Sequence, residues 1–122
     1  MSQENVEVVR RIYAAWQQHG LWAASGDLDP AIEWVNPGDA VEGGIHTGVD
    51  AFEVAWSKVS DSFEELRFAL DDFRDAGDDV VVVTTMRGRG RGSGVDIEDP
   101  QAHVWTIQGG RAVRMRWFHD PR

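Results

Sequence analysis

Residues 80–94 read VVVVTTMRGRGRGSG. The second half, RGRGRGSG (87–94), has the Arg/Gly alternation of segments that bind RNA. The first half is a run of β-branched residues, which suit the pleated surface of a sheet. No break separates the halves, so the arginines continue a strand. Side chains alternate along a strand, which puts Arg87, Arg89 and Arg91 on one face and Gly88, Gly90 and Gly92 on the other. Glycines let a strand bend sharply or admit another backbone, and a sheet that curls over a helix requires such a bend. Asp96, Glu98 and Asp99 follow on the returning strand, within reach of cross-strand pairing with these arginines. The stretch is therefore read as a bent hairpin of balanced charge, with its turn at Gly92, Ser93 and Gly94. Arg87, the innermost arginine, is a candidate for reaching a pocket and binding an anionic or carbonyl group.

The surrounding chain extends the pattern. Leu66, Phe68 and Leu70 alternate with Arg67, Ala69 and Asp71, as a half-buried strand does. The turn at 75–79 leads into the valine run. Val95 to Ile107 returns, with Pro100 suited only to an edge or bulge. Gln108, Gly109 and Gly110 turn again, and Arg111 to His119 is the last strand. Before this meander come helices. Val6, Val9, Tyr13 and Trp16, with Ile12, recur at helical spacing. Ser2 suits the start, Glu4 lies in the first turn, and Gly20 suits the end. A short second helix is expected at Leu21 to Ser25, and a short strand at Ala31 to Asn36. A Gly-rich loop then runs to Gly48. A helix from about Asp50 to Ser62 carries Phe52, Trp56 (or Ala55), Val59 and Phe63 on its apolar face. Helices followed by an antiparallel meander imply an α+β fold, with helices on one face of a curved sheet.

Composition bounds the function. The 122 residues suit one domain, 1–122, and 42% hydrophobic content supports a packed core. A net charge of −9 repels phosphate backbones, so nucleic acid is not expected as a partner. The absence of cysteine removes disulfides, thiolate metal sites and thiol nucleophiles. No apolar run is long enough for a bilayer, so no membrane is expected and the cytoplasm is the default location. Four histidines without a close i, i+4 pair make a poor metal site, and no cofactor fingerprint is present. Six tryptophans, Trp16, Trp22, Trp34, Trp56, Trp105 and Trp117, are the unusual feature. Large aromatics build cores and also line apolar pockets.

The segments VVRRIYAAW (8–16), SGDLDPAIEW (25–34), HTGVDAF (46–52), RGRGSGV (89–95) and HVWTIQGGRAVRMRWF (103–118), in that order and spacing, resemble the SnoaL-like branch of the nuclear transport factor 2-like superfamily. The resemblance implies a cone: a curved antiparallel sheet wrapped around N-terminal helices, a cystatin-like α+β barrel enclosing an apolar pocket. It also implies a homodimer through the outer sheet face. Polyketide cyclases, ketosteroid isomerase, limonene epoxide hydrolase and scytalone dehydratase share this fold, so function must be argued from the site. The isomerase's catalytic base position holds Trp34 here, and its helical tyrosine matches Ile12, with Tyr13 adjacent and expected to face elsewhere. Steroid isomerisation by those residues is therefore not expected.

Two histidines are the candidate acid/base groups, because imidazole gives and takes protons near neutral pH. On the last strand Val113, Met115, Trp117 and His119 share one face, and Arg114, Arg116, Phe118 and Asp120 the other, so the first set is expected to point into the cone. On the strand before it His103, Trp105 and Ile107 share a face. His103 falls where the isomerase has its buried acid, and resemblance implies that it can donate a hydrogen bond to an oxyanion. Each histidine also has a bland alternative, a half-solvated strand end for His119 and a satisfied core histidine for His103. Asp96, Glu98 and Asp99 are expected in solvent, as is His46, while His19 at the end of the first helix meets the helix dipole. Tyr13, Trp16, Trp34, Trp56, Trp105, Met115 and Trp117 are expected to shape a pocket for a small hydrophobic molecule, polycyclic or aromatic. Either that pocket only binds, or His119 and His103 perform cyclase- or isomerase-like proton transfer in it.

Overall fold

The computed structural model describes residues 2–38, 40 and 43–119. Asp120, weighed above, lies outside these, as does the side chain of Ser2. The described residues form helix α1 (Ser2–His19), a 3-10 turn (Trp22–Ser25), strands β1 (Leu28–Asn36) and β2 (Gly44–Thr47), helix α2 (Val49–Ser60), and strands β3 (Phe63–Ala76), β4 (Asp79–Gly90), β5 (Asp96–Gln108) and β6 (Arg111–His119). The strands make one sheet, ordered β2-β1-β6-β5-β4-β3. From β3 to β6 it is the expected antiparallel meander. β1 then joins β6 in parallel, and β2 pairs antiparallel with β1, so the sheet is mixed. The curved sheet and two helices make the α+β cone.

Its core lies between the inner face of the sheet and α1. Val9, Ile12 and Tyr13 of the helix are fully buried against Val80, Val82, Trp105 and Ile107 of the sheet. Ile12 and Tyr13 are adjacent yet both inside, because a sheet that curls around a helix covers a wide arc of it. Tyr13 therefore does not face elsewhere. Trp22 lies stacked on Trp16, centroids 4.7 Å apart. Its turn is held by Glu53 of α2, whose carboxylate accepts from the N–H groups of Trp22 and Ala23, both at 3.1 Å. A carboxylate at such a start satisfies donors that the turn itself leaves open.

The hairpin at 87–94 depends on its glycines. A Cβ on Gly88 would stand 2.8 Å from Phe63 Cδ1 and 3.0 Å from the Glu65 carbonyl oxygen, so only glycine lets β3 come this close. Gly92 turns the chain with φ 84°, a left-handed backbone. Arg89 pairs with Asp96 at 3.2 Å and Arg87 with Glu98 at 3.8 Å, across the strands. Arg91 instead reaches the carbonyl oxygens of Asp61 and Phe63, both at 3.0 Å, and pins the hairpin to the end of α2.

Three local details differ from the sequence expectations. The glycine-rich stretch before Gly48 contains β2. Phe63 opens β3 and does not belong to α2. Thr106 faces Arg114 while Ile107 faces Ala112, so Val113 is a bulge residue. The bulge shifts the inward set of β6 to Ala112, Met115 and Trp117, in place of Val113. Pro100 stands inside β5 opposite Thr85, and pairing with β6 begins only at Gln101, so it is flanked by one strand.

Candidate functional site

A cavity of about 300 Å³ opens at one end of the cone, at the lower end of the usual size for small-molecule sites. Seven Trp and Phe side chains line it. β1 and α2 supply Trp34, Phe52 and Trp56, and Trp34 lies stacked on Phe52 with centroids 4.9 Å apart. β3 supplies Phe63 and Phe68, and β6 supplies Met115 and Trp117. Trp22 forms part of the floor. The indole N–H groups of Trp22 and Trp34 are buried without a hydrogen-bond partner among the described residues. Trp117 is held by donation from its Nε1–H to Asn36 Oδ1 at 2.6 Å, which ties β6 to β1.

Half of the polar side chains of the wall come from one face of β5. Asp99, Gln101 and His103 follow at intervals of two and line the cavity, with His119 of β6 opposite Gln101. They form a continuous hydrogen-bond chain with the core. Trp105 Nε1–H donates to Tyr13 Oη at 3.0 Å. Tyr13 Oη and His103 Nδ1 are 2.5 Å apart, and His103 Nε2 is 2.7 Å from Gln101 Oε1. Gln101 Nε2 lies 2.8 Å from Asp99 Oδ2, and His119 Nδ1 lies 3.2 Å from the same oxygen.

Chemistry fixes the direction of this chain. A carboxylate only accepts, so the Gln101 amide must turn its N–H₂ to Asp99 and its oxygen to His103. His103 must then donate from Nε2. It is fully buried, and burial pushes its pKa down to about 3, so the ring is neutral and carries one proton. Nδ1 is thus an acceptor, and Tyr13 donates to it. Burial also holds the Tyr13 phenol protonated, far above its ordinary range. Every donor from Trp105 to Gln101 points the same way, out toward Asp99.

The predicted site residues therefore separate. Trp34, Trp56, Met115, Trp117, His103 and His119 line the cavity. Tyr13 and Trp105 stand behind its wall, with 0% exposure each, because they belong to the core under β5. Trp16 lies beyond Trp22 and borders a separate depression near Gly20. Arg87 is on the outer face, because alternation along β4 turns it away from Met86, which lines the cavity. Of the two histidines, His103 has both nitrogens engaged. His119 is half exposed, bonded through Nδ1, and its Nε2 meets no partner among the described residues. Asp99, expected in solvent, is instead a wall residue at the cavity mouth.

Among the described residues no group of histidine and acidic side chains is placed to hold a metal ion, and no helix is long and apolar enough to cross a membrane.

The profile of the SnoaL-like domain family matches residues 9–115. A nuclear transport factor 2-like protein from Burkholderia thailandensis is 30% identical over 94% of this chain and 89% of its own, with TM-score 0.85. A nuclear transport factor 2-like protein of unknown function from Burkholderia pseudomallei is 28% identical over 96% and 91%, with TM-score 0.84. TerC, co-crystallised with polyporic acid, is 27% identical over 96% and 92%, with TM-score 0.83. No curated protein matches the chain.

Proposed function

This chain belongs to the SnoaL-like domain family, and from that premise we propose that it binds a small flat aromatic molecule in the cavity at the mouth of the cone. One observation carries the reading: seven Trp and Phe rings line the cavity, while four of its six polar side chains, Asp99, Gln101, His103 and His119, lie where β5 meets β6. Such a site sandwiches a planar body and orients it by its substituents. TerC, which shares this fold, has been co-crystallised with polyporic acid, which supports a small-molecule site. The test is quenching of tryptophan fluorescence by a panel of polycyclic aromatic compounds, with Trp34→Ala and Trp117→Ala alongside. Saturable binding that both variants weaken is expected. A panel without saturable binding, or with binding that both variants leave intact, rejects the reading.

A second reading makes the same site catalytic. It is favoured by the pairing of Asp99 with His119 Nδ1, which fixes the ring and leaves Nε2 to exchange a proton with a ligand. His103 would then be a positioning residue. Turnover of polyketide-like or epoxide substrates that is lost in His119→Ala and Asp99→Asn is the expected result. Wild-type turnover unchanged in both variants removes it. The homodimer through the outer sheet face belongs to the proposal as well. Half-buried Ala102 and Val104 and exposed Phe118 are its apolar ground, and light scattering on Phe118→Asp tests it by looking for a monomer.

A further inference from the structure

The cavity has a charge asymmetry that its shape does not require. Among the described residues of its lining, Asp99 is the sole aspartate, glutamate, lysine or arginine. The chain has no lysine or arginine between Arg11 and Lys58, the segment that supplies the Trp34, Phe52 and Trp56 wall. The bases nearest in sequence to the other wall are turned away. Arg87 pairs with Glu98, Arg114 with Glu33, and Arg116 with Asp79. Apart from the histidines, the charge at the mouth is therefore negative, and it faces aromatic rings whose π faces are also electron-rich.

Asp99 is held in place by its neighbours. One oxygen accepts from the Gln101 amide, whose orientation is fixed from behind by His103 and Tyr13. A carboxylate has about four acceptor positions, and the Gln101 and His119 contacts leave room for another donor. Its side chain keeps 25% exposure, so a ligand can reach it.

Resting on the reading of the cavity as an aromatic-ligand site, we infer that its ligand is an aromatic amine bound as the ammonium, with the cation at Asp99 and the ring system between the tryptophans. An ammonium gains from both features, by charge pairing with the carboxylate and by contact with ring faces. A carboxylate in the same place meets a like charge and has no lysine or arginine in the lining to pair with. A neutral alcohol of the same shape gains only a hydrogen bond.

The test uses three probes of one shape: 2-naphthylmethylamine, 2-naphthylmethanol and 2-naphthoate, titrated by calorimetry at pH 7.5. The amine is expected to bind at least tenfold tighter than the alcohol, and the acid more weakly than both. Asp99→Asn, which keeps an acceptor for Gln101, is expected to bring amine and alcohol within about twofold. Glu98→Gln, on the outer face, removes the same charge from the chain and is expected to keep the preference, so the effect is local. Binding of the acid as tight as that of the amine overturns the inference, and so does a preference that survives Asp99→Asn. Tight alcohol binding without preference for the amine defeats the charge assignment alone. Failure of all three probes defeats the aromatic-ligand reading with it.

Discussion

Replacing Tyr13 with Phe removes one oxygen and strands two partners. Trp105 loses its acceptor, and His103 Nδ1 loses its donor. Both residues are buried, at 0% and 2% exposure, so water cannot replace the hydroxyl. Two buried polar groups without partners at about 1–3 kcal/mol each put the loss near 2–6 kcal/mol. Flipping the His103 proton does not rescue it, because Nε2 would then face the Gln101 oxygen with a lone pair. Flipping Gln101 in turn would aim that oxygen at Asp99. At about 4 °C per kcal/mol for a domain of this length, Tm should fall by at least about 8 °C. Urea unfolding followed by tryptophan fluorescence measures the loss directly. A double-mutant cycle with His103→Leu then tests the chain itself. The two changes break the same bond, so their combined cost should fall short of the sum by more than about 1 kcal/mol. A Tyr13→Phe loss below about 1 kcal/mol, or additivity with His103→Leu, would refute the directional chain.

The remaining predictions concern other parts of the molecule. His103 has a folded pKa below its unfolded value, so its neutral burial contributes stability above about pH 6.5 that is lost as the pH falls toward 3. Between pH 6 and 4 wild-type stability should therefore drop relative to His103→Gln by up to about 1.4 kcal/mol per pH unit, and parallel curves would exclude this. Gly88→Ala forces a methyl group against Phe63 and the Glu65 carbonyl, and chemical denaturation should show a loss of roughly 1–3 kcal/mol. Arg114→Ala removes an exposed pair with Glu33 at 3.0 Å, and the same assay should find no more than about 1 kcal/mol.

The meander was legible because its strands announce themselves by alternation. Leu66, Phe68 and Leu70 alternate with Arg67, Ala69 and Asp71, and the β-branched valine run marks β4, where Val80 and Val82 are buried and Val81 and Val83 half-buried. The helices were legible for the same reason. What was hidden depends on distance along the chain. Nothing local to Ala31–Asn36 says that it lies parallel to a strand more than 80 residues later, and four residues of a glycine-rich stretch do not look like β2. A bulge such as that at Val113 inverts alternation without a sequence mark. The site was half visible. His103 and Trp105 share a face, and counting two steps back gives Gln101 and Asp99. Pro100 interrupted that count, and an acid beside it looks like a solvated turn. The coupling of Tyr13 to His103 spans 90 residues and has no local signature.

The parallel joint between β1 and β6 has a consequence in time. It fastens residues 28–36 to residues 111–119, and its side-chain latch, Trp117 on Asn36, spans 81 residues. Closing so long a loop has a large entropic cost, and contacts of this separation slow folding. The hairpins of the meander close much shorter loops and can form ahead of it. The cavity wall needs both partners of the joint, since Trp34 comes from one and Met115 and Trp117 from the other. The binding site is complete only while that seam is closed, and it is lost when the seam opens. A ligand bound there acts as a rivet across the seam: it slows unfolding and leaves the folding rate nearly untouched.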